Sequence, residues 1–138
     1  MLVPNICKLR IKPQLLLLLY GSCMALLLAS CASPVVKAGA TQEGLASYYG
    51  KEFNGRRTSS GETFDMNAYT AAHRTYPFGT IVRVTNLKNG SQVEVKVNDR
   101  GPVKPERIID LSYAAAKSIG LDRLGISRVR LEVLDWGK

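Results

Sequence analysis

The stretch "TIVRVTNLKNGSQVEVKVNDRGP", residues 80–102, decides the fold, because it contains two strand patterns joined by a turn signal. Valines alternate with polar residues over 80–86 and again, more regularly, over 91–99, and this alternation predicts strands with one buried face. Asn89-Gly90 between them is a strong signal for a hairpin turn. Gly101-Pro102 ends the second strand in a tight turn. The stretch therefore predicts a β-hairpin.

The sequence on both sides of this hairpin predicts further short elements. "GLASYYG" (44–50), "RIID" (107–110) and the alternating "SRVRLEVLD" (127–135) are typical of strands. "SYAAAKSIG" (112–120) predicts a helix, with a serine as N-cap and a glycine just past its end. Several short strands and one small helix predict a compact, mostly β barrel.

The N-terminal residues differ in character from this domain. Three basic residues precede the apolar run "LLLLLYGSCMALLLAS" (15–30), and small residues follow, which predicts a secretory signal peptide over 1–30. The alternative is a permanent membrane anchor, because residues 14–32 are about long enough to span a bilayer.

The end of the apolar run is more specific. "LASC" (28–31) resembles the lipobox of bacterial lipoproteins, which implies that Cys31 is acylated and becomes the new N-terminus. We expect a lipid-anchored protein of the cell envelope, at the outer membrane facing the periplasm if the cell is Gram-negative, since Ala32 is not the aspartate of inner-membrane retention. Residues 31–43 are small and polar and predict a flexible tether, followed by the domain at 44–138.

Charge and cysteine content limit the classes of partner. The 138 residues carry a net charge of +8, of which +5 remains after removal of the signal peptide. This charge favours anionic surroundings such as cell-wall polymers or lipid head groups. We expect no nucleic acid, because the basic residues are scattered, and we expect a monomer. The three cysteines all lie in residues 1–31, so the domain must be stabilised by core burial without an intrachain disulfide.

Candidate chemistry concentrates in "SSGETFDMNAYTAAH", residues 59–73. Glu62 and Asp65 are three residues apart, and two carboxylates in different environments are the usual equipment for cutting a glycosidic bond. His73, the only histidine, could hydrogen-bond either carboxylate and shift its pKa. In the structural alternative, Asp65 caps a turn, Glu62 is solvated and His73 is a satisfied strand residue.

Two further acidic positions are candidates. Asp99 and Arg100 lie at the mouth of the turn in "VNDRGP", where the structural alternative is an Asx-type turn with an Asp–Arg pair. Asp110 in "IIDLS" follows an apolar run and precedes a helix cap, so a buried carboxylate there needs partners.

Residues 44–134 contain a series of motifs: the pair Tyr49-Gly50, "SGETFDM", "TAAH", "VTNLKNG", "VNDRGP" and "IDLS". Through these motifs the segment closely resembles the rare lipoprotein A family of bacterial lytic transglycosylases. The resemblance implies a mainly β fold, a six-stranded double-psi β-barrel with one or two short helices, as in expansins, barwin-like proteins and family 45 endoglucanases.

This resemblance also implies a set of catalytic residues. The family motifs map onto Glu62, Asp65, His73 and Asp99. Asp110 resembles the aspartate that acts as the acid in the cellulase relatives, and is a possible additional acid.

The implied activity is cleavage of the β-1,4 bond between N-acetylmuramic acid and N-acetylglucosamine of peptidoglycan glycan strands, leaving 1,6-anhydro ends, with no metal and no cofactor. Glu62 or Asp99 could each serve as the proton donor. Tyr48 and Tyr49 could stack on a sugar ring, although we expect one of the two in the core. Arg100 could pair with Asp99 or contact the substrate. The alternative is a non-catalytic, expansin-like module that only binds the cell wall.

Overall fold

The computed structural model describes residues 39–138. The predicted signal peptide, the lipidated Cys31 and most of the predicted tether lie outside the described residues. Within 39–138, no helix has the length and apolar character needed to cross a membrane.

Six strands, one short helix and one 3₁₀ turn make up the described domain. The elements are β1 (Thr41–Tyr48), the 3₁₀ turn (Lys51–Phe53), β2 (Thr70–Ala72), β3 (Ile81–Asn86), β4 (Gln92–Asp99), β5 (Arg107–Leu111), α1 (Tyr113–Ser118) and β6 (Ser127–Asp135). The strands close into one barrel, with the spatial order β1-β5-β2-β4-β3-β6. Strands β1 and β5 pair in parallel, as do β2 and β4, and the remaining neighbours are antiparallel. This double-psi β-barrel confirms the predicted fold class.

The predicted hairpin is formed by β3 and β4, which pair in antiparallel register. Val82 and Val84 of β3 are fully buried, while Ile81, Arg83 and Thr85, which alternate with them, are only half-buried, as the alternation predicts. The turn is closed by Gly90, whose N–H donates to the carbonyl of Asn86 at 2.7 Å. Gly90 has φ +75°, a conformation that glycine adopts without strain.

The barrel core is formed by the inward faces of the strands together with one face of α1. Burial of each large apolar side chain contributes on the order of 1.5–3 kcal/mol. The fully buried members include Val82, Val84, Val97, Ile109, Leu111, Ala115, Ala116, Ile119, Leu121, Val129 and Leu131.

Helix α1 begins and ends as the sequence predicts. The hydroxyl of Ser112 accepts from the N–H of Ala115 at 3.3 Å, so this serine is the N-cap. Gly120, with φ +71°, follows the last turn. Six residues are too few for a stable isolated helix, and its burial against the barrel stabilises it.

Strand β2 has no signal in the sequence. It is only three residues long and all three are buried, so it offers neither alternation nor length as a signal. It nevertheless lies at the centre of the site region, between β4 and β5. Ala72 is in register with Asp99 on one side and with Asp110 on the other.

The first strand begins earlier than predicted. Residues 41–43, assigned to the tether, form the start of β1 and pair with β6. Their side chains are exposed, so the pairing is made by the backbone. The Glu43 side chain adds a contact to Arg130 at 2.8 Å, and the Gln42 side chain lies 3.2 Å from His73. Strand β1 therefore includes three residues that the sequence places in the tether.

Candidate active site

A groove crosses the barrel where β1, β4 and β5 end, and it has two arms that share Tyr49, Phe53 and Asp99. The first, about 420 Å³, extends to Arg107 and Asp110 and is called the Asp110 arm. The second, about 240 Å³, is called the arginine arm and is lined further by Arg56, Arg57, Thr58 and Phe64.

Asp99, where the two arms meet, accepts four hydrogen bonds. Its Oδ1 accepts from the N–H of Ser59 at 2.9 Å, from the hydroxyl of Ser59 at 2.7 Å and from the N–H of Arg100 at 2.8 Å. Its Oδ2 accepts from the hydroxyl of Tyr49 at 3.2 Å. Burial alone would raise the pKa of Asp99, but these donors outweigh burial and hold the pKa below its usual range. Asp99 is therefore ionised near neutral pH.

Tyr49 forms the wall between the arms. Its ring contacts Phe64 edge-on, with 5.2 Å between the ring centroids, and is tilted against Phe53 at 5.5 Å. Burial and the nearby Asp99 and Asp110 carboxylates raise the pKa of the Tyr49 hydroxyl, so it remains a hydrogen-bond donor. The aromatic walls give the groove apolar surface against which a sugar ring can pack.

Asp110 lies in a different environment from Asp99. It is 6% exposed, and its Oδ1 lies 3.4 Å from Nη1 of Arg107. Among residues 39–138, neither Oδ1 of Asp110 nor Nε of Arg107 has a hydrogen-bond partner, so the two groups are close without being aligned. Burial raises the pKa of Asp110, and the opposing charges of Arg107 and Arg74 do not cancel this effect.

The groove thus contains two aspartates whose surroundings move their pKa values apart. One is ionised and held by four hydrogen bonds, and the other is desolvated and retains its proton to higher pH. A pair of this kind divides the roles of base and acid between two identical side chains.

Glu62 lies outside both arms, among the described residues. Its carboxylate is exposed, with Oε1 2.8 Å from Nζ of Lys96 and Oε2 accepting from the amide of Asn98 at 2.9 Å. The hydrogen bonds from Asn98 and Lys96 lower its pKa. This environment favours an ionised, structural carboxylate that holds the loop carrying Ser59, and it does not favour a proton donor.

Asp65 and His73 are also placed in local hydrogen-bond networks. Asp65 accepts from the N–H of Asn67 at 2.8 Å, which forms an Asx turn. His73 is buried; its Nδ1 accepts from the N–H groups of Thr75 and Tyr76, and its Nε2 lies 3.2 Å from the side-chain oxygen of Gln42. The sequence suggests a hydrogen bond from His73 to Glu62 or Asp65. Within residues 39–138 the imidazole forms neither of these bonds.

The protonation state of His73 follows from these contacts. Two N–H donors at Nδ1 require a lone pair there, so the neutral ring carries its proton on Nε2. Burial, with the charges of Arg74 and Arg100, lowers the pKa of His73 to about 4. Its ring stacks on Tyr76 at 3.6 Å between centroids.

Tyr48 and Arg100 both line the Asp110 arm, and each side chain also donates to a backbone carbonyl. Tyr48 packs against the core and donates to the carbonyl of Asp122 at 3.2 Å. The guanidinium of Arg100 donates to the carbonyls of His73 and Tyr76 and lies 3.8 Å from the ring centroid of Phe78. Within residues 39–138 it is not paired with the Asp99 carboxylate.

The sequence does not mark Glu52, Phe53 and Arg107, which line the groove, or Ser59, which hydrogen-bonds Asp99. Ser59 contacts Asp99 across 40 positions, and no local pattern marks that contact. In residues 39–138, no three His, Cys, Asp or Glu side chains are grouped so that they could hold a metal ion.

The closed barrel and the acid-lined groove define a double-psi β-barrel protein. The family model described as lytic transglycolase matches residues 41–131, and the chain belongs to this family.

Curated relatives agree with this assignment. The chain is 54% identical over 103 residues to the endolytic peptidoglycan transglycosylase RlpA of Campylobacter jejuni, covering 75% of this chain and 38% of that protein. The corresponding protein of Neisseria meningitidis is 56% identical over 98 residues, which cover 71% of this chain and 41% of the relative. The chain thus spans less than half the length of these relatives.

Solved structures share the fold at low identity. The Streptomyces papain inhibitor has a TM-score of 0.58 at 23% identity, covering 72% of this chain and 99% of the inhibitor. A mutant Clavibacter michiganensis expansin in complex with cellohexaose has a TM-score of 0.57 at 20% identity, covering 70% of this chain and 51% of the expansin. At this level of identity, the likeness concerns the fold alone.

Proposed function

We propose that the protein is a lytic transglycosylase that cleaves the bond between N-acetylmuramic acid and N-acetylglucosamine in peptidoglycan glycan strands and leaves 1,6-anhydro ends. The observation that carries the proposal is the pair Asp99 and Asp110 in one groove, with pKa values shifted in opposite directions. Two relatives named endolytic peptidoglycan transglycosylase support the substrate and the reaction.

In the proposed reaction, Asp110 donates its proton to the glycosidic oxygen as the bond from the muramyl C1 to that oxygen breaks. The muramyl 6-hydroxyl oxygen then bonds to C1 and closes the anhydro ring, and its proton passes to Asp99. The ionised Asp99 also stabilises the positive charge that develops on the sugar. Proton exchange with solvent returns both carboxylates to their starting states.

The residues around the pair have supporting roles in this proposal. Ser59 and Tyr49 orient and stabilise the Asp99 carboxylate through their hydrogen bonds. Phe53 and Tyr49 provide aromatic surface for the sugar rings. Glu62 and Asp65 hold the turns of the preceding loop, and His73 supports the turn behind Arg100.

Digestion of purified glycan strands, with and without stem peptides, tests the activity. We expect mass spectrometry of the products to detect 1,6-anhydro ends, formed without uptake of water. Asp110→Asn, prepared in parallel, should form no such product.

The same experiment separates the two functions considered for this fold. If the wild-type protein sediments with cell walls but yields no anhydro product from any glycan preparation, the protein is a non-catalytic wall-binding module. Products with ordinary reducing ends would instead indicate hydrolysis.

We further propose that the mature protein is a monomer anchored in the cell envelope by lipid on Cys31. The proposal is supported by "LASC" at 28–31, which lies ten residues before the start of β1 at Thr41. Mass spectrometry of membrane-extracted protein should detect diacylglycerol on Cys31, and Cys31→Ser should release the protein from membranes. A mature protein that retains Met1 would contradict the anchor.

A further inference from the structure

The arginine arm of the groove differs in charge from the Asp110 arm. Arg56 and Arg57 both line it, together with Phe53, Phe64 and the shared Tyr49. The acidic residue that lines this arm is Asp99, whose oxygens are already occupied by Ser59, Arg100 and Tyr49. The arm is therefore a small cavity with two positive charges beside an apolar wall.

Among residues 39–138 no carboxylate neutralises these two arginines, a property they share with Arg74, Arg100, Arg123 and Arg128. Arg83 pairs with Glu94 and Glu132, and Arg130 pairs with Glu43. Arg107 lies against Asp110. Across residues 39–138, Arg56 and Arg57 take part in no such ion pair.

The backbone that carries the two arginines is ordered by hydrogen bonds. The N–H of Phe64 donates to the carbonyl of Arg56 at 2.8 Å, and Arg57 forms a β-bridge with Thr63. The guanidinium of Arg57 donates to the carbonyl of Gly61 at 3.0 Å through Nη1, which leaves its other nitrogens available to a ligand. The guanidinium of Arg56 lies over the ring of Phe53 at 5.4 Å. The backbone that carries both charges is therefore held beside the groove by hydrogen bonds.

We propose that Arg56 and Arg57 form a subsite for a carboxylate carried by the muramyl side of the glycan strand. The inference rests on the proposed function, because it takes peptidoglycan as the ligand of the groove. Every muramyl residue carries a lactyl group, which is a free carboxylate in a peptide-free strand and an amide in a strand that bears stem peptides. In the latter, the stem peptides supply other carboxylates.

The chemistry of the side chains fits this ligand. Guanidinium groups bind carboxylates through paired hydrogen bonds, and the neighbouring aromatic ring offers an apolar surface to the sugar that carries the carboxylate. A strand bound across Tyr49 would then have its scissile bond at Asp99 and Asp110 and an acidic substituent in the arginine arm. This arrangement would fix the direction in which the strand lies in the groove.

Calorimetric titration of the wild-type protein and of an Arg56→Gln/Arg57→Gln double variant tests the subsite. Each is titrated with peptide-free strands, with stem-peptide strands, and with both kinds after their carboxylates have been converted to methylamides. Arg123→Gln/Arg128→Gln is the matched control, because it removes the same charge, and Arg128 lies outside both arms. Asp110→Asn is introduced throughout to suppress cleavage.

We expect the double variant to bind acidic strands on the order of tenfold more weakly than wild type. Amidation should weaken wild-type binding by a similar factor and leave the double variant almost unchanged. The control should behave as wild type. A loss confined to peptide-free strands identifies the lactyl carboxylate as the ligand, and a loss confined to stem-peptide strands identifies the peptide carboxylates.

Equal loss of affinity for acidic and amidated strands, or no loss at all, would overturn the subsite. The failure of the proposed function has a different outcome: the protein without Asp110→Asn would yield no anhydro product, while the preference for acidic strands would remain.

Discussion

Asp99 and Asp110 in the groove, and Glu62 and Asp65 in the loop before it, carry the same functional group in contrasting surroundings. The groove aspartates are half-buried or buried beside aromatic rings, and their pKa values are shifted in opposite directions. Glu62 and Asp65 are exposed, and each forms hydrogen bonds that hold a turn. From this difference we expect Glu62 and Asp65 to shape the site, and Asp99 and Asp110 to enter the chemistry.

The two regions are joined through Ser59 and Asn98. Glu62 accepts from the amide of Asn98, and the carbonyl of Asn98 accepts from the N–H of Ser60. The adjacent Ser59 then holds Asp99 through its N–H and its hydroxyl. The loop region therefore acts on the groove by positioning Asp99, and variants can separate this role from a direct role in proton transfer.

The largest effect is expected for Asp110→Asn. Loss of a general acid typically costs about 10²–10⁴-fold in rate, and the amide cannot donate the required proton. Burial raises the pKa of Asp110 in the folded protein. Its ionisation therefore lowers the stability of the fold as the pH increases through the pKa that Asp110 has in the unfolded chain. The melting temperature of the variant at pH 7 should therefore not fall. Full activity of Asp110→Asn would show that another carboxylate donates the proton. The groove aspartates and the loop carboxylates would then not differ in the way proposed.

A smaller effect is expected for Ser59→Ala, which removes the 2.7 Å hydrogen bond to Asp99. The pKa of Asp99 should rise, because one of the donors that favour the ionised form is lost. Activity needs Asp99 ionised and Asp110 protonated, so the acidic limb of the pH–rate profile should move to higher pH while the alkaline limb stays in place. A shift of both limbs, or of neither, would contradict the assignment of roles.

Glu62→Gln should reduce the rate by less than Asp110→Asn does, because the amide retains hydrogen-bonding capacity while the contact with Lys96 loses its charge. Initial rates on peptide-free strands provide the measurement, with Lys96→Gln as the matched variant. Similar, modest losses in both variants would support a positioning role. Loss of all turnover in Glu62→Gln alone would place Glu62 in the reaction.

The smallest effect on rate, but a distinct effect on stability, is expected for His73→Asn. The buried imidazole has a pKa of about 4, below its unfolded value of about 6.5, so the unfolded chain binds more protons between these values. Stability from this group is present above pH 6.5 and is lost as pH falls, by about 3 kcal/mol at pH 4. Asparagine can accept the same backbone hydrogen bonds without titrating. Denaturant unfolding from pH 7 to pH 4 should therefore show a weaker pH dependence in the variant, and identical pH dependence would exclude His73 as its source.

The sequence by itself determined most of the strands and the helix. In β3 and β4 the alternation of valines is a local property of the pleated chain, and the N-cap at Ser112 depends on contacts within one turn. Such patterns can be interpreted without knowledge of the rest of the molecule. The motifs at 59–73 and 98–102 likewise marked the segments that form or support the groove.

Only the tertiary structure decided which carboxylate has which environment. Strand β2 carries no periodic signal, yet its pairing aligns Ala72 with both Asp99 and Asp110. The pKa of each carboxylate depends on burial and on partners distant in sequence, such as Ser59 for Asp99. Desolvation and hydrogen bonding are set by the three-dimensional packing around a group, and sequence spacing does not encode them. For this reason the sequence identified the acidic residues. Only the closed barrel distinguished those that line the groove from those that hold the loop beside it.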